Sequence, residues 1–524
     1  MGTAVQPGLK GVIAAGHPAT AGAGAVLLEA GGNAFDAALG ALCAACVAEP
    51  VLASLGGGGF LLADPAGDGA RVYDFFAQTP GYKRPPDQLD FRPIRVDFGV
   101  AQQEFHIGLG SAAVPGVIKG LFRIHRDLCR LPLTRIIEPA ARLARDGIIV
   151  NPLQYQIARL VEPIIRATPG SLSLHQPEGG GERLAEPGER VRHPEFAAIL
   201  ETLAAEGEQL FYQGELGAVL SRHCAERGGQ LRRDDLAAYR VERRPPLRVA
   251  YRGAELLTNP PPALGGLLIG LTLALLERDA PEPPPWGSVA QRAWIARAMA
   301  RTQDLRQRSD LPARLAGDPD GDALLAELLA MDGGGAEPLP RFSRGTTHIS
   351  VLDQAGNLAS LSLSNGEGCG YLLPGTGILL NNMLGEEDLA PGGFHRWPEN
   401  RRISSMMAPS VARLADGTRV ALGSGGSNRI RGAILQVVSH LIDAGLPLDQ
   451  AVAAPRIHYE GDLLNLEPPC SPALCQELRR EFPNLRIWDG LNLFFGGVHS
   501  VLRRPDGGLR GCGDPRRGGA SRLV

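Results

Sequence analysis

The sequence predicts a mixed α and β fold, helix-rich before residue 345 and built of strands and hairpins with helices after it. Two observations lead there. Small apolar residues recur at helical spacing through the first third of the chain. Later, two alternating runs, 346–353 and 358–364, flank the turn Gln354-Ala-Gly-Asn357. Length alone, 524 residues, suggests several domains. The net charge of −3 disfavours nucleic acid as a partner. The 68 glycines and few aromatics suggest tight backbone approaches and close-packed helices of small residues.

The elements follow in order. Residues 18–30 read as a helix stopped by Gly31-Gly32. Asn33 is placed to cap the next helix, with Asp36 at its third position. Cys43 and Cys46 form a C-x-x-C inside that alanine-rich run, a setting for buried small residues rather than for metal or redox work. Glu49-Pro50 ends the helix. Ser54-Leu-Gly-Gly-Gly-Gly59 then precedes a strand-like Phe60-Leu-Leu-Ala63. No Lys-Ser/Thr follows those glycines, so they suit a tight turn or a site-lining loop rather than a phosphate cradle.

Helices are expected at 115–128, 135–146, 194–206, 214–227 and through 288–331, with a polar, glycine-rich surface excursion at 169–192. Strands are expected at 376–381, 408–414, 419–423 and 496–502. A helix at 430–444 follows Gly423-Ser-Gly-Gly-Ser427. The first 16 residues lack an apolar signal core with a basic start, and no 18-residue apolar run occurs, so a cytoplasmic chain with no membrane partner is the expectation. The histidines are scattered without ligand spacing, so no metal or other cofactor is expected.

Gly345-Thr-Thr-His-Ile-Ser350 is the most informative stretch. It follows a glycine- and proline-rich segment, 332–344, and opens a strand. A cut before Thr346 would give that residue both a nucleophile, its hydroxyl, and a base, its new α-amine. The plain alternative is a β-branched strand residue. Facing residues of an antiparallel hairpin have position numbers with a constant sum, and a turn centred near Ala355 sets Thr346 opposite Ser364. Three other stretches bear on the choice. Arg402-Ile-Ser-Ser-Met-Met-Ala-Pro409 puts paired hydroxyls before a strand. The backbone N–H groups of Gly423–Ser427 are placed to form an oxyanion hole at a helix N-terminus. Asn381-Asn-Met-Leu-Gly-Glu-Glu-Asp388 clusters acceptors after a strand.

These pieces, in this order, resemble the γ-glutamyltransferase (glutathione hydrolase) family of the N-terminal-nucleophile hydrolase superfamily. The likeness runs from Gly16-His-Pro18, Gly31-Gly-Asn-Ala-Phe-Asp-Ala37, Glu49-Pro50 and Gly56-Gly-Gly-Gly-Phe60 through Val114-Pro-Gly-Val117, Pro139-Ala140 and Leu143-Ala-Arg-Asp-Gly147. It continues through Gly345-Thr-Thr-His348, Leu379-Leu-Asn-Asn382, Ser404-Ser-Met406 and Gly423–Ser427 to Ala454-Pro-Arg-Ile-His458 and Asp514-Pro-Arg516.

The resemblance implies a four-layer αββα sandwich and an inactive precursor that cuts itself at Gly345–Thr346. Its two chains, 1–345 and 346–524, would stay associated as one unit. It implies Thr346 as nucleophile with its own amine as base, Gly425 and Gly426 as oxyanion-hole donors, and Ser364 as hydrogen-bond partner of the nucleophile. Ser404 and Ser405 match hydroxyls that hold a substrate α-carboxylate. Asn365 and Glu386 fall at or near the positions that hold its α-amino group. Arg84 falls near the family's carboxylate-binding arginine.

Three departures weigh on the substrate. The patch Asn365-Gly-Glu-Gly-Cys-Gly370 is shifted by one residue, Glu386 stands where an aspartate is common, and the flanks of Arg84 differ. The expected function is a self-processing γ-glutamyl hydrolase or transferase acting on amides such as glutathione. The alternatives are an N-terminal-threonine amidohydrolase or acylase for another small amide, and an unprocessed, non-enzymatic scaffold.

Overall fold

The computed structural model describes residues 8–97, 102–315, 319–332, 345–389 and 392–524. Residues 333–344 of the expected flexible segment lie outside them. Two antiparallel sheets stack face to face between helical layers, giving the αββα sandwich.

The first sheet runs Ala520–Leu523, Gly11–Ala15, Thr347–Asp353, Leu358–Ser364, Gly58–Asp64, Arg71–Phe75, Glu242–Arg244. The second runs Leu509–Cys512, Gly497–Arg503, Arg419–Gly425, Ser410–Arg413, Ala254–Thr258, Leu247–Tyr251. The first sheet therefore interleaves strands from before and after residue 345, and the second joins four strands from after it to two from before it.

Period-two alternation assigns the faces of the first sheet. Ile13, Ile349, Val351, Leu61 and Leu361 point to the helices Pro18–Glu29 and Ala34–Ala48. Val12, Ala14, Leu352, Leu358, Phe60 and Leu62 point toward the second sheet. Beyond that sheet lie Gly265–Asp279, Val289–Arg308 and Arg429–Ile442. Glycine and alanine let the inner helices sit close: Ala34–Ala48 is buried along its whole length, Cys43 and Cys46 included. Its cap is the expected one, with the Asn33 side chain accepting from Asp36 N–H and the Asp36 carboxylate accepting from Asn33 N–H.

The hairpin register also holds. Thr347 faces Leu363 and Leu352 faces Leu358, so one further step brings Thr346 opposite Ser364. The expected helices appear as Val117–Leu128, Leu133–Asp146, Pro194–Glu206 and Glu215–Glu226.

Two expectations change. The run 376–381 forms only a two-residue ladder, Ile378–Leu379 with Leu372–Leu373. The excursion 169–192 is no mere surface loop: it buries Leu172, Leu174, Leu184 and Val191, since its few apolar residues all turn inward. Among the described residues, no helix is long and apolar enough to cross a membrane.

Candidate active site

Thr346 ends the loop into the first sheet and is 3 % exposed. Alternation turns Thr347 toward the helices and Thr346, with His348 and Ser350, toward the second sheet. On the helix side, Thr347 Oγ1 donates to Glu49 Oε2 at 2.6 Å and Thr20 Oγ1 donates to Oε1 at 2.8 Å. Burial raises the Glu49 carboxyl above its ordinary range, against those two hydroxyls and the charge of Arg517.

On the inter-sheet side, Ser350 Oγ donates to the His499 carbonyl, so it accepts from His348 Nε2–H at 2.9 Å. That leaves Nδ1 to accept from Ser362 Oγ at 2.8 Å. His348 is thereby held neutral, its pKa well below the usual value through burial and then through His499 nearby.

The second sheet meets the strand that follows Thr346 through glycine. A methyl on Gly425 would lie 2.0 Å from the Thr346 carbonyl oxygen, so only glycine permits this approach. Gly426 has φ +123, and the turn leads into the helix Arg429–Ile442. Its backbone N–H groups gather at the positive end of the helix dipole, a setting suited to a developing oxyanion.

Ser364 is bound to the bond that self-cleavage would break. Its Oγ donates to the Gly345 carbonyl at 2.7 Å and accepts Gly366 N–H at 3.1 Å. Glu367 Oε1 accepts Gly345 N–H at 2.8 Å. The Gly345–Thr346 peptide is thus held at both its carbonyl and the amide before it.

Thr346, Ser364, Ser405 and Glu386 line one small cavity together with Phe76, Met383, Met406, Met407, Ser427 and Ile430. Glu386 and Asn382 pack against Gly366 there. Other sequence-expected residues lie elsewhere. Ser404 turns away to donate to the Pro262 carbonyl at 2.7 Å. Asn365, fully buried, reaches the Leu380 carbonyl at 3.5 Å.

Arg84 is a correction. The chain after Phe76 leads outward, pinned by Thr79 on Pro398 and Gly81 on Asp235, and Arg84 donates to the Ala225 carbonyl at an exposed site. Phe76, directly after the strand Arg71–Phe75, occupies the cavity instead. Arg517, 8 % exposed beside Thr346, Gly425 and Gly426, also escaped the sequence reading, although it directly follows Asp514-Pro-Arg516. Among the described residues, no group of His, Cys, Asp and Glu is arranged to hold a metal ion.

Known proteins resemble the chain over nearly its full length. An acylase ACY 1 proenzyme of Pseudomonas sp. (strain V22) is 32 % identical, over 96 % of this chain and 92 % of that protein. The glutathione hydrolase proenzyme of Escherichia coli (strain K12) is 29 % identical, over 97 % and 90 %. The crystal structure of cephalosporin acylase from Bacillus halodurans shares the fold with a TM-score of 0.82 at 23 % identity, covering 100 % of this chain and 97 % of that one. The model of the γ-glutamyltranspeptidase family matches residues 20–524, and the chain belongs to that family, within the N-terminal-nucleophile hydrolases.

Proposed function

We propose that this chain cuts itself between Gly345 and Thr346, and that Thr346 then transfers an acyl group from a small amide to water or an amine. The observation that carries this is the Ser364 hydrogen bond to the Gly345 carbonyl, with Thr346 in the same cavity. Attack of Thr346 Oγ on the Gly345 carbonyl carbon forms the C–O bond of an ester. The C–N bond then breaks, and the hydroxyl proton ends on the departing α-amine. Water hydrolyses the ester and leaves a Gly345 carboxylate and a free Thr346. In turnover the freed amine takes the hydroxyl proton, the Gly425–Gly426 N–H groups face the oxyanion, and the acyl half sits among Glu386, Ser405 and Phe76.

The acyl group we infer is not γ-glutamyl. An α-carboxylate is met best by a fixed cation, above all a bidentate guanidinium. Here Phe76 and three methionines form most of the apolar part of the wall, Ser364, Ser405, Ser427 and Glu386 the polar part, and Arg84 lies outside it. That wall suits an acyl chain with an apolar body, while Glu386 suits an amine on it. The acylase relatives point the same way.

The γ-glutamyl alternative is favoured by Glu386 and Ser405, an acid and a hydroxyl that could meet an amino acid head group from the wall of this cavity, and by the glutathione hydrolase relatives. The test compares processed enzyme on a γ-glutamyl anilide and on ω-amino and simple aliphatic acyl anilides. Faster turnover of the aliphatic set is expected. A preference for the γ-glutamyl anilide would restore glutathione-like substrates. Protein that never yields two bands near two-thirds and one-third of the mass would defeat both.

A further inference from the structure

Thr346 borders a second cavity besides the one that holds Glu386. It has a volume of ≈ 70 Å³ and reaches Thr346, Thr347 and Gly425 at one end. Its walls are apolar: Val51, Leu52, Leu153, Ala158, Leu174 and Leu184, all but Leu153 from buried positions. The inward-turned excursion 169–192 closes it.

Arg517 lies at the Thr346 end. It is nine-tenths buried, yet its bonds are slack. Nη1 reaches the Thr346 carbonyl at 3.5 Å and Nη2 the Leu493 carbonyl at 3.4 Å, while Nε has no partner among the described residues. The preceding residue shows the contrast: Arg516 pairs with both Glu467 and Asp514. A buried guanidinium without an ion pair is costly, and an arriving anion would relieve that cost.

The other ionisable groups on the lining leave this charge standing. His17 and His193 are pushed down to about 4 and His175 to about 3 by burial, and His499 to about 4, so all four are neutral at pH 7. Glu49, whose oxygens accept from the hydroxyls of Thr20 and Thr347, attracts Arg517 together with Asp514 and Glu367, yet the Arg517 Nε keeps no hydrogen-bond partner among the described residues. Burial, then Arg429, lowers Arg517 to about 10, which still leaves it charged.

We propose that this cavity is a second substrate subsite, which takes an apolar chain carrying a carboxylate and holds that carboxylate on Arg517. It rests on the reading of Thr346 as nucleophile. The substrate is then an amide with one half among Glu386, Ser405 and Phe76 and an anionic, apolar half across Thr346.

Calorimetric titration of the purified protein with hexanoate and with hexanamide, its neutral counterpart, tests the site without turnover. Hexanoate should bind about tenfold tighter or better, the worth of a charge-assisted hydrogen bond. Arg517→Gln should erase that preference, and Arg517→Lys should recover part of it. Ala158→Phe, which fills the apolar end, should weaken both ligands about tenfold, and it decides the matter if Arg517→Gln does not fold. Equal binding of the two ligands, a preference that survives Arg517→Gln, or Ala158→Phe binding as wild type would each overturn the subsite. A denaturing gel of the same preparation scores cleavage separately, so failure of the Thr346 reading shows there and not in the calorimetry.

Discussion

Replacing Ser364 by alanine isolates the step that makes the enzyme. The Ser364 oxygen accepts Gly366 N–H, which commits its proton to the Gly345 carbonyl at 2.7 Å. In the proposed self-cleavage that carbonyl oxygen would become the oxyanion as Thr346 Oγ attacks, in a site where Ser364 is 5 % exposed and water screens little. Losing one aimed donor at an oxyanion costs about 2.7–4 kcal/mol in the barrier, or about 10²–10³ in rate. Stability should change less, by about 1 kcal/mol per net hydrogen bond lost. The assay is the first-order conversion of purified single-chain protein into two chains on a denaturing gel, with Thr346→Ala as the variant that stays whole. Ser364→Thr, which keeps a hydroxyl, should cleave within about tenfold of wild type. If Ser364→Ala cleaves within about threefold of wild type, the hydroxyl is not acting on the scissile carbonyl.

Three further outcomes are expected. Gly425→Ala puts a methyl 2.0 Å from backbone at Thr346, so it should lower the melting temperature by the equivalent of about 1–3 kcal/mol and stop cleavage; a fully active Gly425→Ala would mean the strands can part. Phe76→Arg supplies the cation this cavity lacks, and should raise kcat/KM on a γ-glutamyl anilide about tenfold or more while lowering it on aliphatic anilides; steady-state kinetics on both decide it. Acid should destabilise the fold through His17, His193, His440 and His499, each held at about 4 by burial against an ordinary 6.5. The unfolded chain binds more protons, so the penalty is absent above pH 6.5 and grows by about 1.4 kcal/mol per pH unit per group as pH falls toward 4. A melting temperature that stays flat from pH 7.5 to 5 would contradict it.

What could be read in the sequence was local. Asn33 and Asp36 announce a cap because three residues suffice to build it, and the Thr346–Ser364 hairpin follows from one short turn. The strand Gly11–Ala15 escaped because five residues buried on both faces carry no alternation; its place comes from partners more than 300 residues away. Phe76 and Arg517 escaped for a related reason. A phenylalanine after a strand and an arginine after Asp-Pro-Arg look structural until the fold sets them beside Thr346. The composition of 169–192 misled because its polar majority hid the leucines that close the second cavity. Arg84 matches the family's arginine only in its approximate place along the chain, and the backbone, turning outward at Thr79, carries it to the Ala225 carbonyl.

The interleaving of the first sheet would make the proposed cleavage a certificate of folding. Gly11–Ala15 lies between Thr347–Asp353 and Ala520–Leu523, and Leu358–Ser364 lies against Gly58–Asp64, so the ladders around Thr346 exist only when distant parts of the chain have met. An unfolded or misassembled copy would lack the Ser364 contact and would keep its peptide bond. The uncut fraction in a preparation would therefore count the molecules that never reached this arrangement. Once cut, the two pieces would still be joined by three ladders of the first sheet and one of the second, and could separate only by breaking all four.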